Sequence, residues 1–383
     1  MVSIIDKYSC CGCGACKAKC PKNCIEMVPD SEGFDYPVVN TELCISCGIC
    51  DSVCPVHTES EFSQALPVAY AAFSKEDKVL FDSSSGGVFY HVSKWILENN
   101  GVVIGAAYTG DFKVEHICVD NFYDLIRLQG SKYVQSSTCD SYIQTLEYLK
   151  KGLKVLYSGT PCQIEGLYSF LGKDYDNLYT VDIICSGVPS PLIWERYLTY
   201  RKNKAKSRLN SVNLRYKKYG WQEYIILFEF ENGKVYECTR FEDHYMRAFR
   251  THCSLRPSCY RCKFKGIKRN SDITVADFWG IERILPDMNN KKGTSLLFLQ
   301  SQKGKDLFNN IVDYLKVVQV DTEKAAECNP MMTYSAKEPT IRNEFFAEAE
   351  KSVIKASNRY CALPLRQKIG FVYQRIRKNF FNI

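Results

Sequence analysis

Cysteine is the residue type in this sequence whose number and spacing could do chemistry. Ten of the twenty cysteines lie between Cys10 and Cys54. Reduced thiolates bind metal ions and clusters, whereas oxidised pairs form disulfides, so the spacing has to distinguish the two uses. Zinc sites typically carry two C-x2-C pairs, and disulfide frameworks carry scattered pairs. Neither pattern describes these ten residues.

One spacing, C-x2-C-x2-C-x3-C-P, occurs twice, ending at Pro21 and again at Pro55. It is the spacing of ferredoxins with two [4Fe–4S] clusters, in which the fourth cysteine of each run ligates the other cluster. The ligands predicted for the first cluster are Cys10, Cys13, Cys16 and Cys54. Those predicted for the second are Cys44, Cys47, Cys50 and Cys20. Cys11 and Cys24 fall outside the repeat and are interpreted as small packing residues.

A second set of cysteines follows in the larger part of the chain: Cys162, Cys185, Cys259 and Cys262. Four thiolates could hold a third [4Fe–4S] cluster, although spacing alone does not bring them together. A zinc knuckle at the C-x2-C pair and buried thiols are the alternatives, and Cys253 could replace one of the four. The cysteines without a ligand-spaced neighbour are interpreted as buried thiols: Cys118, Cys139, Cys238, Cys328 and Cys361.

The elements that must position these cysteines alternate between strands and helices after a polar stretch at 58–64. Apolar periodicity predicts this order: strand Val68–Phe73, helix Gly87–Glu98, strand Val102–Tyr108, helix Tyr142–Lys150, strand Val155–Ser158, helix Gln163–Leu171 and strand Leu178–Cys185. Strands dominate from Ser211, including a hairpin of Tyr224–Phe230 and Lys234–Thr239. We predict an α+β ferredoxin-like module followed by an α/β domain with a mixed sheet.

Three loops rich in Ser, Gly or Thr join extended segments to helices: Ser83–Gly87, Gly130–Tyr133 and Ser158–Pro161. Backbone N–H groups at helix starts favour phosphate, and ordinary capping turns are the alternative. Lys132 is the best candidate for holding an anionic group. His91 and His116 could donate protons, although a single histidine is more often structural.

Several stretches of the chain resemble the beta subunit family of coenzyme F-420 hydrogenases and dehydrogenases. They are Ser83–Phe89, Gly130–Tyr133, Gly159–Gln163, Asp182–Pro191, Cys259–Cys262 and Ser271–Gly280. Members of the family are flavoproteins in which FAD sits beside a [4Fe–4S] cluster. The resemblance implies that Cys162, Cys185, Cys259 and Cys262 ligate the third cluster. It also implies an FAD site at Ser84, Ser85, Gly86, Gly87, Lys132 and Thr160, and Asp277–Gly280 either shapes this pocket or belongs to the core.

The resemblance therefore implies an FAD- and 4Fe-4S-dependent oxidoreductase. Electrons would pass between a ferredoxin-like or deazaflavin carrier and a small organic substrate. The alternative is a non-catalytic electron-transfer subunit of a larger redox complex. The predicted divisions are the cluster module at 1–60, a flavin-binding part at 66–155, a part with the third cluster at 156–340, and a basic helical tail at 341–383. No catalytic residue is predicted.

Charge is distributed unevenly. Residues 1–60 carry net −4, so the remainder carries +11 of an overall +7. The basic stretch Arg201–Lys218 is interpreted as a solvated face, with docking of an acidic partner as the alternative. No single-strand platform or groove-reading motif accompanies it, which argues against nucleic-acid binding.

No apolar run reaches the length needed to cross a bilayer, and the start lacks a signal-peptide core, so we expect a cytoplasmic protein. Near the C-terminus, apolar residues at helical spacing alternate with basic ones from Leu365 to Phe380. This pattern predicts a basic amphipathic helix. Such a helix either lies on an anionic membrane surface or packs on the body.

Overall fold

The structure is a computed structural model that describes residues 6–57 and 65–362. Its strands are β1 Ile25–Pro29, β2 Asp35–Val39, β3 Val68–Ser74, β4 Gly101–Tyr108, β5 Val114–Val119, β6 Lys154–Gly159, β7 Leu178–Ile183, β8 Leu209–Tyr216, β9 Ile225–Phe230, β10 Val235–Thr239, β11 Ile273–Asp277, β12 Ser295–Leu299 and β13 Leu315–Val320.

The α-helices are α1 Ala15–Lys19, α2 Ile49–Ser52, α3 Asp77–Asp82, α4 Val88–Glu98, α5 Phe122–Leu125, α6 Cys139–Lys150, α7 Pro161–Leu171, α8 Pro191–Ala205, α9 His244–Arg250, α10 Ile281–Ile284, α11 Gln302–Asn309, α12 Thr322–Glu327, α13 Arg342–Lys351 and α14 Val353–Tyr360. Short 3-10 helices span Ile126–Leu128, Pro257–Arg261, Pro286–Met288, Val312–Tyr314 and Pro330–Met332.

The centre of the body is an eight-stranded mixed sheet with the order β13-β3-β12-β11-β7-β6-β4-β5. The inner strands β11, β7, β6 and β4 run parallel, and the outer pairs are antiparallel. Strand β12 is buried along its whole length, as its SLLFL sequence predicts for a strand covered on both faces. The predicted mixed α/β architecture is therefore confirmed.

Both predicted body parts contribute strands to this one sheet. The boundary drawn at residue 155 falls inside β6, which pairs with β4 on one side and β7 on the other. Helix α7 then begins with Thr160 in a capping box with Gln163, and Pro161 fills its first turn. This sequence fixes the strand-to-helix turn that presents Cys162.

Strands β8, β9 and β10 form a separate antiparallel sheet. Its core also contains residues of α8, α9, α13 and α14, so the chain from 341 to 362 packs on the body as helices. The predicted hairpin is confirmed, with Gly233 at φ 79 in its turn.

The N-terminal module has two short helices and one antiparallel strand pair, β1 with β2. Its interior side chains continue into the cores of the body. Phe34 is fully buried in the same cluster as Trp194, and Ala15 is fully buried in a cluster with Tyr142. The side chains of Glu32 and Arg342 form a two-pronged ion pair across this contact, with both N–O distances 2.6 Å. These shared cores and this ion pair hold the module against the body.

Within the described ranges, no helix is both long enough and apolar enough to cross a membrane. The predicted basic amphipathic helix from Leu365 to Phe380 lies outside the described residues.

Candidate functional site

The first cavity lies in the N-terminal module and has a volume of about 260 Å³. The structure brings to its wall the four cysteines predicted for the first cluster: Cys10, Cys13, Cys16 and Cys54. Helix α1 begins after Gly14, whose φ of 76 suits glycine, and carries Cys16 into this wall. Cys54 reaches the same wall from beyond the end of α2. The crossover of the fourth cysteine is thus the arrangement expected from the spacing.

A second, smaller cavity of about 20 Å³ lies at the other end of the same module. Its wall contains all four cysteines predicted for the second cluster: Cys20, Cys44, Cys47 and Cys50. Cys24 also lines it, with its sulfur 3.4 Å from that of Cys20. Cys47 is exposed, and the nearby Leu43 and Ile45 are apolar and more than half exposed. The second cavity therefore faces the surface.

The third cavity lies in the body and has a volume of about 180 Å³. It is lined by the predicted third set, namely Cys162, Cys185, Cys259 and Cys262. Cys162 lies in the first turn of α7 and Cys185 in the loop after β7. Cys259 lies in the 3-10 helix Pro257–Arg261, and Cys262 follows directly after that helix. Chain segments almost a hundred residues apart thus present four thiols to one space.

Backbone and side-chain donors point at the sulfurs of the third cavity. The Gly187 amide donates to the Cys185 sulfur at 3.3 Å, and the Val188 amide donates to the Cys259 sulfur at 3.4 Å. Donors of this kind favour the thiolate form and are typical of cluster sites. Lys265 and Arg269 also lie in the wall, and each adds a positive charge.

The four thiols of the third cavity influence each other's ionisation. Burial raises the pKa of Cys185 to about 11 and that of Cys259 further, and neighbouring thiolates add to both shifts. A bound iron cluster would oppose this effect, because metal ligation requires deprotonated thiols. Within 6–57 and 65–362, no three Cys, His, Asp or Glu side chains converge on the position of a single metal ion. Each cysteine set surrounds a cavity instead.

Cys11 connects the first and third cavities. It lines both, as do Ser9 and Val56. Its thiol interacts with the thiols of Cys13 and Cys162, which belong to different predicted ligand sets. The interpretation of Cys11 as a packing residue was therefore incomplete; its position directly after Cys10 in the sequence is the only signal for this role.

The remaining cysteines lie elsewhere. Cys253 is fully buried against Cys361 in the core of the small sheet, with Thr251 donating to its sulfur at 3.4 Å. It packs in this core rather than in the wall of the third cavity, which disfavours the alternative in which it replaces a ligand. The other cysteines interpreted as buried thiols are in fact partly exposed: Cys118, Cys238 and Cys328. Cys139 begins α6.

The loop Ser83–Gly87, predicted to bind FAD at the start of α4, is hydrogen-bonded to residues at the start of strand β12. The Ser85 hydroxyl donates to the Thr294 carbonyl at 3.0 Å, and the Gly86 amide donates to the Ser295 hydroxyl at 2.8 Å. A Cβ atom on Gly86 would lie 2.3 Å from the Ala72 carbonyl oxygen. Packing against the sheet therefore already explains the glycine at this position.

Ser84, by contrast, faces the second predicted loop. Its hydroxyl lies 2.9 Å from that of Ser131 and accepts the Ser131 amide at 2.8 Å. Gly87 caps α4 at φ 82 and packs against Val79. The loops at Ser83–Gly87 and Gly130–Tyr133 thus meet, as a shared site would require.

Lys132 follows directly and is half-buried. Its ammonium group donates to the carbonyls of Arg127 and Gln129, each at 2.8 Å. Burial lowers the pKa of Lys132 to about 7. Burial, with a smaller contribution from the Lys132 charge, lowers the pKa of His116 to about 4. His116 itself is hydrogen-bonded to the Ser158 carbonyl at 2.9 Å. Ser158 lies two residues before Thr160, which lines the third cavity. His91 is a buried structural residue bonded to Ser74.

A group of arginine and aromatic side chains lies beside Tyr133. Arg215 pairs with Asp277 and lies 4.5 Å from the Tyr224 ring centroid, and Arg240 lies 4.9 Å from the same centroid. Both also face Trp279. Within the described residues, the Nε atoms of both arginines are buried without a hydrogen-bond partner.

The interpretation of Arg201–Lys218 as a solvated face holds for part of the stretch, since Lys204, Lys206, Arg208 and Lys218 are exposed, and is wrong for three of its cations. Arg201, Arg215 and Lys217 are all buried, at 4%, 6% and 6% exposure. The signal that could have revealed them is an aromatic neighbour in the sequence, Tyr200 before Arg201 and Tyr216 between Arg215 and Lys217, because cations pack on aromatic rings. In the DFWG stretch, Phe278 is core, whereas Asp277 and Trp279 belong to the arginine group.

Comparison with known proteins finds similarity for two separate parts of the chain. Residues 152–324 match the family model for the C-terminal part of the beta subunit of coenzyme F420 hydrogenase/dehydrogenase, and residues 9–58 match the 4Fe-4S dicluster domain. The resemblance drawn from the sequence is confirmed. The similarity to this beta subunit family covers 173 of the 383 residues. The chain is thus an iron–sulfur protein related to oxidoreductase subunits.

One solved structure with detectable similarity is a chain of the xenon-derivatised F420-reducing [NiFe] hydrogenase complex from Methanosarcina barkeri. It is 16% identical to this chain, covers 79% of this chain and 93% of its own length, and has a TM-score of 0.47. No curated protein sequence matches the chain.

Proposed function

We propose that the chain is an iron–sulfur flavoprotein oxidoreductase with three [4Fe–4S] clusters and FAD. Electrons would pass between a ferredoxin-like or deazaflavin carrier and a small organic substrate. The observation that carries the proposal is the third cavity, where four cysteines from distant parts of the body surround one space. That space shares wall residues with the first cavity of the dicluster module.

The donor sets of the three cavities suit iron–sulfur clusters. Each contains the four cysteines of one predicted ligand set, and the third adds two amide donors to sulfur together with the cations Lys265 and Arg269. When bound, such clusters supply one-electron transfer. The residues proposed to hold them are Cys10, Cys13, Cys16 and Cys54, then Cys44, Cys47, Cys50 and Cys20, then Cys162, Cys185, Cys259 and Cys262.

The arrangement of the cavities supports an order of use. The second cavity lies at the surface beside Leu43 and Ile45, where a protein carrier could approach. The first is in the middle, and the third lies beyond Cys11 and Val56. Thr160 and His116 continue from the third cavity towards Lys132. We propose this line as the electron route and leave its direction to the carrier.

The proposed FAD region comprises the meeting of the two loops and the adjoining arginine group. When bound, FAD couples one-electron steps to hydride chemistry, which a cluster alone does not perform. Ser84, Lys132 and Arg240 would hold its anionic groups, because a half-buried amine and a guanidinium with an unpartnered Nε atom among the described residues are stabilised by an anion. Trp279 and Tyr224 offer aromatic faces. Ser85, Gly86, Gly87 and Thr160 stay predictions for this site.

Flavin binding by the purified chain is the direct test. Arg240→Gln should weaken FAD binding about tenfold or more, since a charge-assisted contact contributes roughly 1.5–3 kcal/mol. Titrating the flavin-free protein with FAD and recording the flavin fluorescence measures the change in affinity. Lys206→Gln, on an exposed helix end, is the matched control and should bind normally. Equal affinity in both variants would contradict the placement.

A non-catalytic subunit is the second candidate, and the family description favours it because it names a beta subunit. The two functions differ in what the isolated chain can do. If the anaerobically purified chain reduces an organic acceptor after mixing with reduced ferredoxin, reduced deazaflavin or NAD(P)H in turn, it is an enzyme. If clusters become reduced but no acceptor turns over until a second protein is added, it is a relay.

A further inference from the structure

The most deeply buried cation near the cavities is Arg256, which precedes Cys259 by three residues. Its side chain is fully buried, and its guanidinium bonds residues of the module. The guanidinium donates to the Cys10 carbonyl at 2.8 Å, the Asp35 carbonyl at 2.9 Å and the Gln135 side-chain oxygen at 3.1 Å. Its Nη2 atom also lies 3.6 Å from the Cys10 sulfur.

None of these acceptors is a carboxylate, and no carboxylate among the described residues forms an ion pair with Arg256. Its guanidinium contacts carbonyl and amide oxygens and one sulfur, and its Cζ atom lies 4.3 Å from the Tyr36 ring centroid. A buried cation is costly unless an anion lies nearby. The contact that would become anionic on cluster binding is the sulfur of Cys10, a predicted ligand of the first cluster, because a ligating thiol is deprotonated.

The surroundings of Arg256 are built to receive it. A Cβ atom on Gly12 would lie 2.7 Å from its Nη1 atom, so the glycine leaves room for the guanidinium. Its own backbone amide donates to the Val188 carbonyl at 3.0 Å, while the Val188 amide donates to the Cys259 sulfur. The segment from Arg256 to Cys259 therefore supplies Cys259, a cysteine of the third set. Through the Arg256 side chain it also contacts Cys10, a cysteine of the first set.

We propose that Arg256 is the counter-charge of the first cluster and raises its reduction potential. The inference rests on the iron–sulfur content proposed above. A cluster gains one negative charge when it accepts an electron, so a fixed cation and a donor to its sulfur stabilise the reduced form. A raised potential favours residence of the electron on the first cluster, next to the body, and no bond forms or breaks. Arg256 acts as a positioning and tuning residue rather than a catalytic one.

An EPR-monitored redox titration of the full-length holoprotein tests this role. In Arg256→Gln, the first-cluster potential should fall by at least 59 mV, a tenfold change in the reduction constant of a one-electron couple. The second cluster in the same molecules is the internal control and should not move. Cys16→Ala and Cys47→Ala, each lacking one cluster, assign the two signals. Arg201→Gln removes an equally buried guanidinium that pairs with Asp243, and it should leave both potentials unchanged.

Iron content separates the outcomes. An unmodified protein without iron refutes the proposed function, whereas Arg256→Gln with full iron and an unshifted first potential refutes the role of Arg256 alone. If that variant loses iron, nitrogen-15 labelling of arginine in the unmodified protein decides. Hyperfine coupling of the label to the reduced first cluster is expected from the 3.6 Å contact, and its absence overturns the proposal.

Discussion

Breaking the ion pair between Glu32 and Arg342 should loosen the N-terminal module from the body. Arg342 is buried at 5% exposure and donates two hydrogen bonds to the Glu32 carboxylate, both at 2.6 Å. It also donates to the Leu255 carbonyl at 2.9 Å and to the Tyr260 hydroxyl at 3.2 Å. Arg342→Met keeps a long apolar side chain and removes every one of these donors.

The loss of stability follows from the Glu32 charge that Arg342→Met leaves without its partner. Removing one partner of a buried pair costs about 3–5 kcal/mol, because the other charge stays desolvated. The Glu32 side chain keeps 16% exposure, so we expect about 3 kcal/mol, the lower end of that range. Unfolding entropy is roughly 2.1 cal/mol/K per residue, or about 0.7 kcal/mol/K over the 350 described residues. The midpoint of thermal unfolding should therefore fall by about 4 °C.

Thermal unfolding of the anaerobic holoprotein at one fixed scan rate measures this change. The double variant Glu32→Gln with Arg342→Met is the key comparison, since it removes the stranded charge as well. It should recover about half of the loss or more. If the double variant is as unstable as the single one, the loss comes from packing of the arginine stem, and the reasoning from the ion pair is refuted.

Three further changes test other parts of the structure. Cys259→Ser should lower the iron content by about four per chain, the size of one cluster, while Cys238→Ser on β10 should not; equal iron in both would argue against the third set. Gly86→Ala should reduce thermal stability or soluble yield, because its Cβ would meet the Ala72 carbonyl, while Gly110→Ala, which meets nothing within 4 Å, should be neutral. His116 has a pKa lowered by burial to about 4, below the unfolded value of about 6.5, so the unfolded chain binds the extra proton and stability falls as the pH drops from 6.5 towards 4. Between pH 8 and pH 5 this lowers the free energy of unfolding by about 2 kcal/mol. In thermal unfolding at these two pH values, His116→Gln should lose less stability than the unmodified protein by that amount. An unchanged loss would show that His116 is not the titrating group.

Local patterns predicted the elements well where they carried strong periodicity. Strand Val68–Ser74, helix Val88–Glu98 and helix Pro161–Leu171 lie within a few residues of their predicted bounds. The cysteine spacing also indicated which four residues share each module cavity, because x2 and x3 steps constrain a short loop and helix. These features depend on interactions within a few residues of each other.

Long-range partners were not predictable in the same way. The order of the eight strands, and hence the placing of β12 between β3 and β11, depends on pairings across more than two hundred residues. Cys11 and Arg256 acquire their positions only when the module packs on the body. Likewise, Arg215 and Lys217 looked solvated because their partners, Asp277 and the carbonyls of Leu80 and Ser85, lie far away in the sequence.

The central claim is that the chain holds three four-iron clusters, and the most direct measurement is iron and acid-labile sulfide in the anaerobically purified protein. Three clusters give about twelve of each per chain. A value near eight, with both module clusters visible by EPR, would contradict the third cluster and the electron route through Cys162, Cys185, Cys259 and Cys262.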